Sequence, residues 1–135
     1  MSDLVARKDG KAGRFTLNRP GALNALTYEM CLQIESYLGK WEADPDVEVI
    51  LFEGVGERAF CAGGDITAMY KTAVAGDYDY GRKFWTDEYR LNAKLATSPK
   101  QIISFLHGFT MGGGVGLEYL QGRRWGWKVD ANFAK

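Results

Sequence analysis

The chain holds one histidine, two cysteines and three prolines among 135 residues. A single histidine leaves a Ser-His-Asp triad only His107 to work with, and nothing around it resembles a nucleophile elbow. Cys31 and Cys61 form neither a zinc-binding spacing nor a disulfide framework, so no metal site is expected. Net charge is also missing, since seventeen Lys+Arg balance seventeen Asp+Glu. That balance argues against a nucleic-acid or anionic-membrane binder held by bulk charge. No apolar run approaches the roughly 20 residues needed to span a bilayer. The start, Met1-Ser2-Asp3-Leu4, has neither a secretory signal nor an Arg-rich transit segment. What remains is an ordinary globular composition, 46% hydrophobic and 13% aromatic, enough for one domain with a core. Glycine is the excess: 17 of 135 residues, against a usual level of about 7%.

The punctuation along the chain predicts an α/β domain without internal repeat or linker. Leu4-Val5-Ala6-Arg7 and Arg14-Phe15-Thr16-Leu17 flank the turn signal Asp9-Gly10-Lys11, which reads as a hairpin. Thr27 is placed to cap a helix reaching about Trp41, with Met30, Cys31, Ile34, Leu38 and Trp41 at helical period. Asp44-Pro45 stops it. The apolar run Val49-Ile50-Leu51-Phe52 suits a strand covered on both faces. Gly54 to Gly64 reads as a glycine-bearing loop, after which Asp65 caps a helix from Ile66 to about Val74. A longer helix runs from about Tyr80 to Ala96 and ends at Ser98-Pro99. Ile102 to Leu106 reads as a strand, and His107-Gly108 turns the chain into Met111-Gly112-Gly113-Gly114-Val115-Gly116-Leu117.

Two glycine segments carry the chemical signal: Cys61-Ala62-Gly63-Gly64-Asp65 and Met111-Gly112-Gly113-Gly114. Each follows a strand and opens a helix. Glycine lets backbone approach a ligand closely, and the first N–H groups of a helix lack internal partners. Two such donors aimed at one point make an oxyanion hole. The alternative is tight helix–strand packing, where glycine provides clearance. Neither segment is a dinucleotide loop or a P-loop, because neither the G-x-G-x-x-G frame nor a Gly-Lys-Ser/Thr is present. Cys61 reads as a small buried residue, Asp65 as a helix cap and His107 as a turn residue. Phe84, Glu88, Leu91 and Leu95 fall on one helical stripe, so Glu88 sits either at its rim or aimed into a site.

These segments, in order, resemble the enoyl-CoA hydratase/isomerase (crotonase) superfamily. Leu17-Asn18-Arg19-Pro20 with Ala22-Leu23-Asn24-Ala25-Leu26 resembles its opening segment. Ala59-Phe60-Cys61-Ala62-Gly63-Gly64-Asp65-Ile66 resembles its first oxyanion segment, and His107 to Gly116 its second. Within it, Glu88-Tyr89-Arg90-Leu91-Asn92 and Met111-Gly112-Gly113-Gly114-Val115-Gly116 are most similar to the 3-hydroxyisobutyryl-CoA hydrolase branch. Family hydratases usually carry a catalytic glutamate where this sequence has Gly116. Glu118 is no simple replacement, since two helical positions turn a side chain by about 200°.

The resemblance implies a crotonase-like (ClpP/crotonase) fold of repeated ββα units, C-terminally truncated, with residues 1–117 as its N-terminal part. It implies an acyl-CoA thioester as the partner molecule, with CoA belonging to the substrate and no separate cofactor. It implies that the N–H groups of Gly64 and Gly113 receive the thioester oxygen. Glu88 is then a substrate-binding carboxylate near the 3-hydroxyacyl group, alongside Gly113, and Ala62 and Gly63 line the CoA arm. The branch implies valine breakdown. The implied location is cytoplasmic for a bacterial chain and the mitochondrial matrix for a full-length eukaryotic one. Residues 118–135 do not match and read as out of frame; the family's later catalytic glutamate and aspartate have no counterpart here. Such a chain is expected to leave core surface exposed and to self-associate. An enoyl-CoA hydratase or isomerase, and a non-catalytic fragment binding CoA or a partner, are the competing readings.

Overall fold

The computed structural model describes residues 2–111. Strands β1 (Leu4–Asp9) and β2 (Ala12–Leu17) form the expected antiparallel hairpin. Its two-residue turn, Gly10-Lys11, places Gly10 at φ 60°, where a side chain would be strained. A 3₁₀ turn over Pro20–Ala22 follows, then α1 (Tyr28–Glu42), β3 (Val49–Gly54) and β4 (Ala59–Cys61). The chain continues through α2 (Thr67–Val74), α3 (Asp79–Ala96), β5 (Gln101–Ser104) and β6 (Phe109–Thr110).

Two strands then helix, repeated, is the grammar of this order. The larger sheet runs β1-β2-β3-β5, with β3 parallel to both β2 and β5. Parallel neighbours require a crossover, and α1 supplies it between β2 and β3. The second strand of each later unit leaves that sheet: β4 pairs with β6, parallel, in a small sheet of its own.

The helices form for reasons visible in their residues. Thr27 caps α1, its hydroxyl accepting from the Met30 amide at 3.1 Å, while the Met30 sulfur takes the place usually held by a carboxylate in the reciprocal bond. Met30, Cys31, Ile34, Leu38 and Trp41 are buried as their period requires. Phe15 of β2 stacks on Phe52 of β3, ring centroids 4.9 Å apart, and meets Trp41 at 4.7 Å. Phe84, Leu91 and Leu95 bury the inner stripe of α3. The Tyr28 hydroxyl donates to Asp87, which also pairs with Arg90 at 2.9 Å, locking α3 to the start of α1.

Three expectations are corrected. β3 is not covered evenly: Ile50 and Phe52 are fully buried, whereas Val49 and Leu51 on the other face are only partly covered. The stretch from Gly54 to Gly64 is not loop throughout, because Ala59, Phe60 and Cys61 form β4, all three buried. The strand read as reaching Leu106 ends at Ser104, and Phe109–Thr110 resumes as β6. No helix among the described residues is long and apolar enough to cross a membrane.

Candidate active site

The parallel pairing of β4 with β6 decides where the first glycine segment lies. Cys61 stands opposite Thr110, and the Met111 amide donates to the Cys61 carbonyl at 3.0 Å. Both strands therefore run out at the same end of the small sheet. In sequence, Gly64 lies as far beyond Cys61 as Gly113 lies beyond Thr110. Gly113, like Gly112, Gly114 and Gly116, lies outside the described residues, as does the stretch 118–135.

The residues of the opening segment form a template for the first loop. The Ala62 amide donates to the Leu23 carbonyl at 3.0 Å, the Leu26 amide to the Gly63 carbonyl at 2.7 Å and the Asp65 amide to the Leu26 carbonyl at 2.7 Å. The template is itself shaped by Leu23 and Asn24, both at φ 55°. Asn24 is fully buried. Its Oδ1 accepts from the Arg19 amide at 2.8 Å, and its Nδ2 donates to the Val55 and Ala59 carbonyls, each at 2.9 Å. Asparagine tolerates the left-handed region better than most residues, and its amide meets every partner that burial would otherwise orphan.

One consequence of the template is stereochemical. The Gly63 carbonyl and the Gly64 N–H belong to one trans peptide and point in opposite directions. Because the carbonyl is held by Leu26, the Gly64 N–H faces away from the template, and among the described residues no acceptor takes it. Gly63, at φ 98°, has the backbone that this peptide orientation demands of glycine.

Glu88 lies against the Cα of Gly64. A Cβ placed on Gly64 would sit 3.4 Å from Glu88 Oε2, 3.6 Å from Oε1 and 3.6 Å from Phe84 Cε1. Glu88 therefore lays its carboxylate against the first glycine segment. It is half-buried, and burial raises its carboxyl above the ordinary range. Burial acts on the nearby thiols in the same direction, pushing Cys61 up to about 11 and Cys31 up to about 12, which disfavours the thiolate. Cys61 is thus the small buried residue that its pattern suggested.

Ala62 is half-buried beside the loop and Gly63 is buried within it. Asp65 sits just ahead of α2, its Oδ1 accepting from the Thr67 amide at 2.9 Å. His107 lies between β5 and β6, and its Nε2–H donates to the Gly56 carbonyl at 2.6 Å. Next to it, Gly108 lies at φ 59°, and a Cβ there would come within 2.1 Å of the Arg58 carbonyl oxygen. Asn24 and Arg19, which carry the template, lay within a quoted motif but had no role read from sequence.

Comparison with known proteins places the chain in a family. A family model for enoyl-CoA hydratase/isomerase matches residues 12–124. The chain is 45% identical over 116 residues to the mitochondrial 3-hydroxyisobutyryl-CoA hydrolase of Gallus gallus, and 44% identical over 115 residues to that of Homo sapiens. Those alignments cover 86% and 85% of this chain but 30% of each relative, so the chain spans about three tenths of the curated relatives it matches. Among solved structures, an enoyl-CoA hydratase from Rhodobacter sphaeroides superposes with a TM-score of 0.83 at 52% identity, covering 86% of this chain and 34% of that one. A carnitinyl-CoA dehydratase from Mycobacterium thermoresistibile gives 0.85 at 44% identity, covering 89% and 35%. The fold is crotonase-like, and the chain belongs to the enoyl-CoA hydratase/isomerase family.

Proposed function

We propose that this chain is part of a hydrolase acting on a 3-hydroxyacyl-CoA thioester, with 3-hydroxyisobutyryl-CoA as its substrate and valine breakdown as its setting. The observation that carries the reading is a Gly64 N–H turned away from its template and unclaimed among the described residues, on the residue against which the Glu88 carboxylate lies. A thioester oxygen gains negative charge when its carbonyl carbon is attacked. The Gly64 N–H, with that of Gly113, receives this oxygen; losing one such donor costs about 2.7–4 kcal/mol of transition-state stabilisation. Glu88 accepts a hydrogen bond from the 3-hydroxyl of the acyl group. Ala62 and Gly63 line the CoA arm.

Hydrolysis adds water across the C–S bond: the water oxygen joins the carbonyl carbon, sulfur leaves as thiolate, and a water proton ends on sulfur. That water needs a carboxylate base, or the carbonyl a carboxylate nucleophile. Glu88 is assigned to the hydroxyl, so the 135 residues alone are expected to release little thiol. The setting follows the relatives named mitochondrial, with the bacterial cytoplasm as the alternative compartment.

A second reading, enoyl-CoA hydratase, draws on the 52% identity to the Rhodobacter sphaeroides structure. Gly116, where family hydratases place a glutamate, weighs against it. The test compares the chain with a chimera carrying the remaining length of the chicken relative. Thiol release from 3-hydroxyisobutyryl-CoA by the chimera, and little by the chain alone, is expected. Hydration of crotonyl-CoA by the chimera without thiol release selects the second reading, and equal turnover by both proteins refutes the division of labour.

A further inference from the structure

Arg19 occupies a position that the oxyanion reading leaves unexplained. Its Nη1 donates to the Ala25 carbonyl at 2.7 Å, and its Nη2 meets Asp65 Oδ2 at 3.0 Å. Ala25 belongs to the template and Asp65 directly follows Gly64, so one guanidinium grips both parallel segments. Its Nε lies 3.7 Å from Asp3 as well. The backbone of Arg19 is held with equal care: its amide donates to Asn24 Oδ1, and its carbonyl accepts from the Ala22 and Asn24 amides at 2.9 and 2.8 Å. The ion pair is largely shielded, with about a fifth of each side chain exposed (20% and 21%). Screening and side-chain entropy consume less of such a pair than of an open surface one.

We propose that Arg19 and Asp65 form a clip that sets the direction of the Gly64 N–H, making both of them positioning residues for thioester polarisation; this rests on the oxyanion reading above. The geometry is a lever. The Gly63–Gly64 peptide is held on one side by the Leu26 amide, and the next residue, Asp65, is held by the Leu26 carbonyl and by Arg19. A peptide between two glycines has little intrinsic barrier to turning over, because glycine populates both signs of φ about equally. Without the clip, the 62–65 segment gains freedom to rotate that peptide and lose the outward donor. Asp65 remains a carboxylate at neutral pH, held below its ordinary range first by the Thr67 amide and then by Arg19. A lysine at position 19 would keep the charge but offer one ammonium in place of a fork, too little to hold Ala25 and Asp65 together.

The experiment reads the carbonyl itself. A 13C-labelled thioester of CoA bound to the full chain is followed by isotope-edited infrared spectroscopy, in parallel with amide hydrogen exchange. In the unaltered protein the bound carbonyl stretch moves to lower frequency than in water. Arg19→Lys and Asp65→Asn should each remove more than half of that shift. They should also speed exchange of the Leu26 and Asp65 amides by about tenfold or more, while amides of the β1–β2 hairpin keep their protection. A role in global stability alone would accelerate exchange everywhere and leave the carbonyl shift of the bound fraction intact, which overturns the clip. Retention of the full shift in both variants overturns it too. Absence of any shift in the unaltered protein overturns the thioester reading, and the clip's catalytic sense with it.

Discussion

Glu88 shows how much a single residue's surroundings decide. The same carboxylate on an open helix face would be an ordinary solubilising group. Here burial is the cause acting on it, and burial disfavours the charged form. Its folded-state pKa therefore lies above the ordinary value of 4.5. As pH rises from acid, the unfolded chain releases this proton first while the folded chain still holds it, so folding stability falls across that window. The deficit is complete once pH exceeds the folded value, and it vanishes below the unfolded one. Glu88→Gln removes the titration and keeps the shape. The variant should gain stability relative to the unaltered chain as pH rises through the Glu88 titration, then hold a constant advantage. Urea unfolding at a series of pH values reads this directly, and a stability difference that does not change with pH would mean that Glu88 is not desolvated in the fold.

At the scale of elements, the sequence announces what is local and long. The hairpin turn, the Thr27 cap, and the stripes of α1 and α3 each follow from a period or a turn signal within their own residues. β4 and β6 do not: three residues and two residues are too short to show a period, and each is a strand only because the other lies beside it across 47 intervening positions. The site was legible in the same uneven way. The glycines and Glu88 stand out by type, whereas Arg19 and Asn24 matter through partners that only folding brings together. Packing between elements is also hidden from pattern. Gly13 lies in β2 against α1, and a Cβ there would stand 2.4 Å from Trp41 Cε3. The ring cannot swing aside, because it is buried and wedged near Phe15 and Tyr37. Gly13→Ala should therefore destabilise the chain by about 1–3 kcal/mol, despite its favourable effect on backbone entropy. Chemical denaturation checks the loss, and restoration by the paired change Trp41→Leu would assign it to this contact.

Over the whole molecule, the apolar side chains that remain outside the core are large and grouped. Ile66, Tyr70 and Val74 recur every fourth residue along α2, and Trp85 and Tyr89 stand four apart on α3. All five are more than half exposed, and none of the α2 residues is fully buried. Phe105, Phe109 and Met111, in and beside β5 and β6, are also exposed. Surfaces of this kind drive association when nothing opposes it. Here little does, since a formal net charge of zero at pH 7 provides no long-range repulsion between copies. The 135-residue chain should accordingly self-associate, with a weight-average mass in sedimentation that climbs over an about hundredfold rise in concentration. Added salt should strengthen this association, because burial of apolar surface carries it and not ion pairing. Tyr70→Lys together with Trp85→Lys should shift the distribution toward monomer, through lost apolar contact and through the positive charge now shared by every copy. A concentration-independent monomer in the unaltered chain would show that these side chains are too dispersed to act as one surface. Dissociation by salt would assign the contact to charges instead.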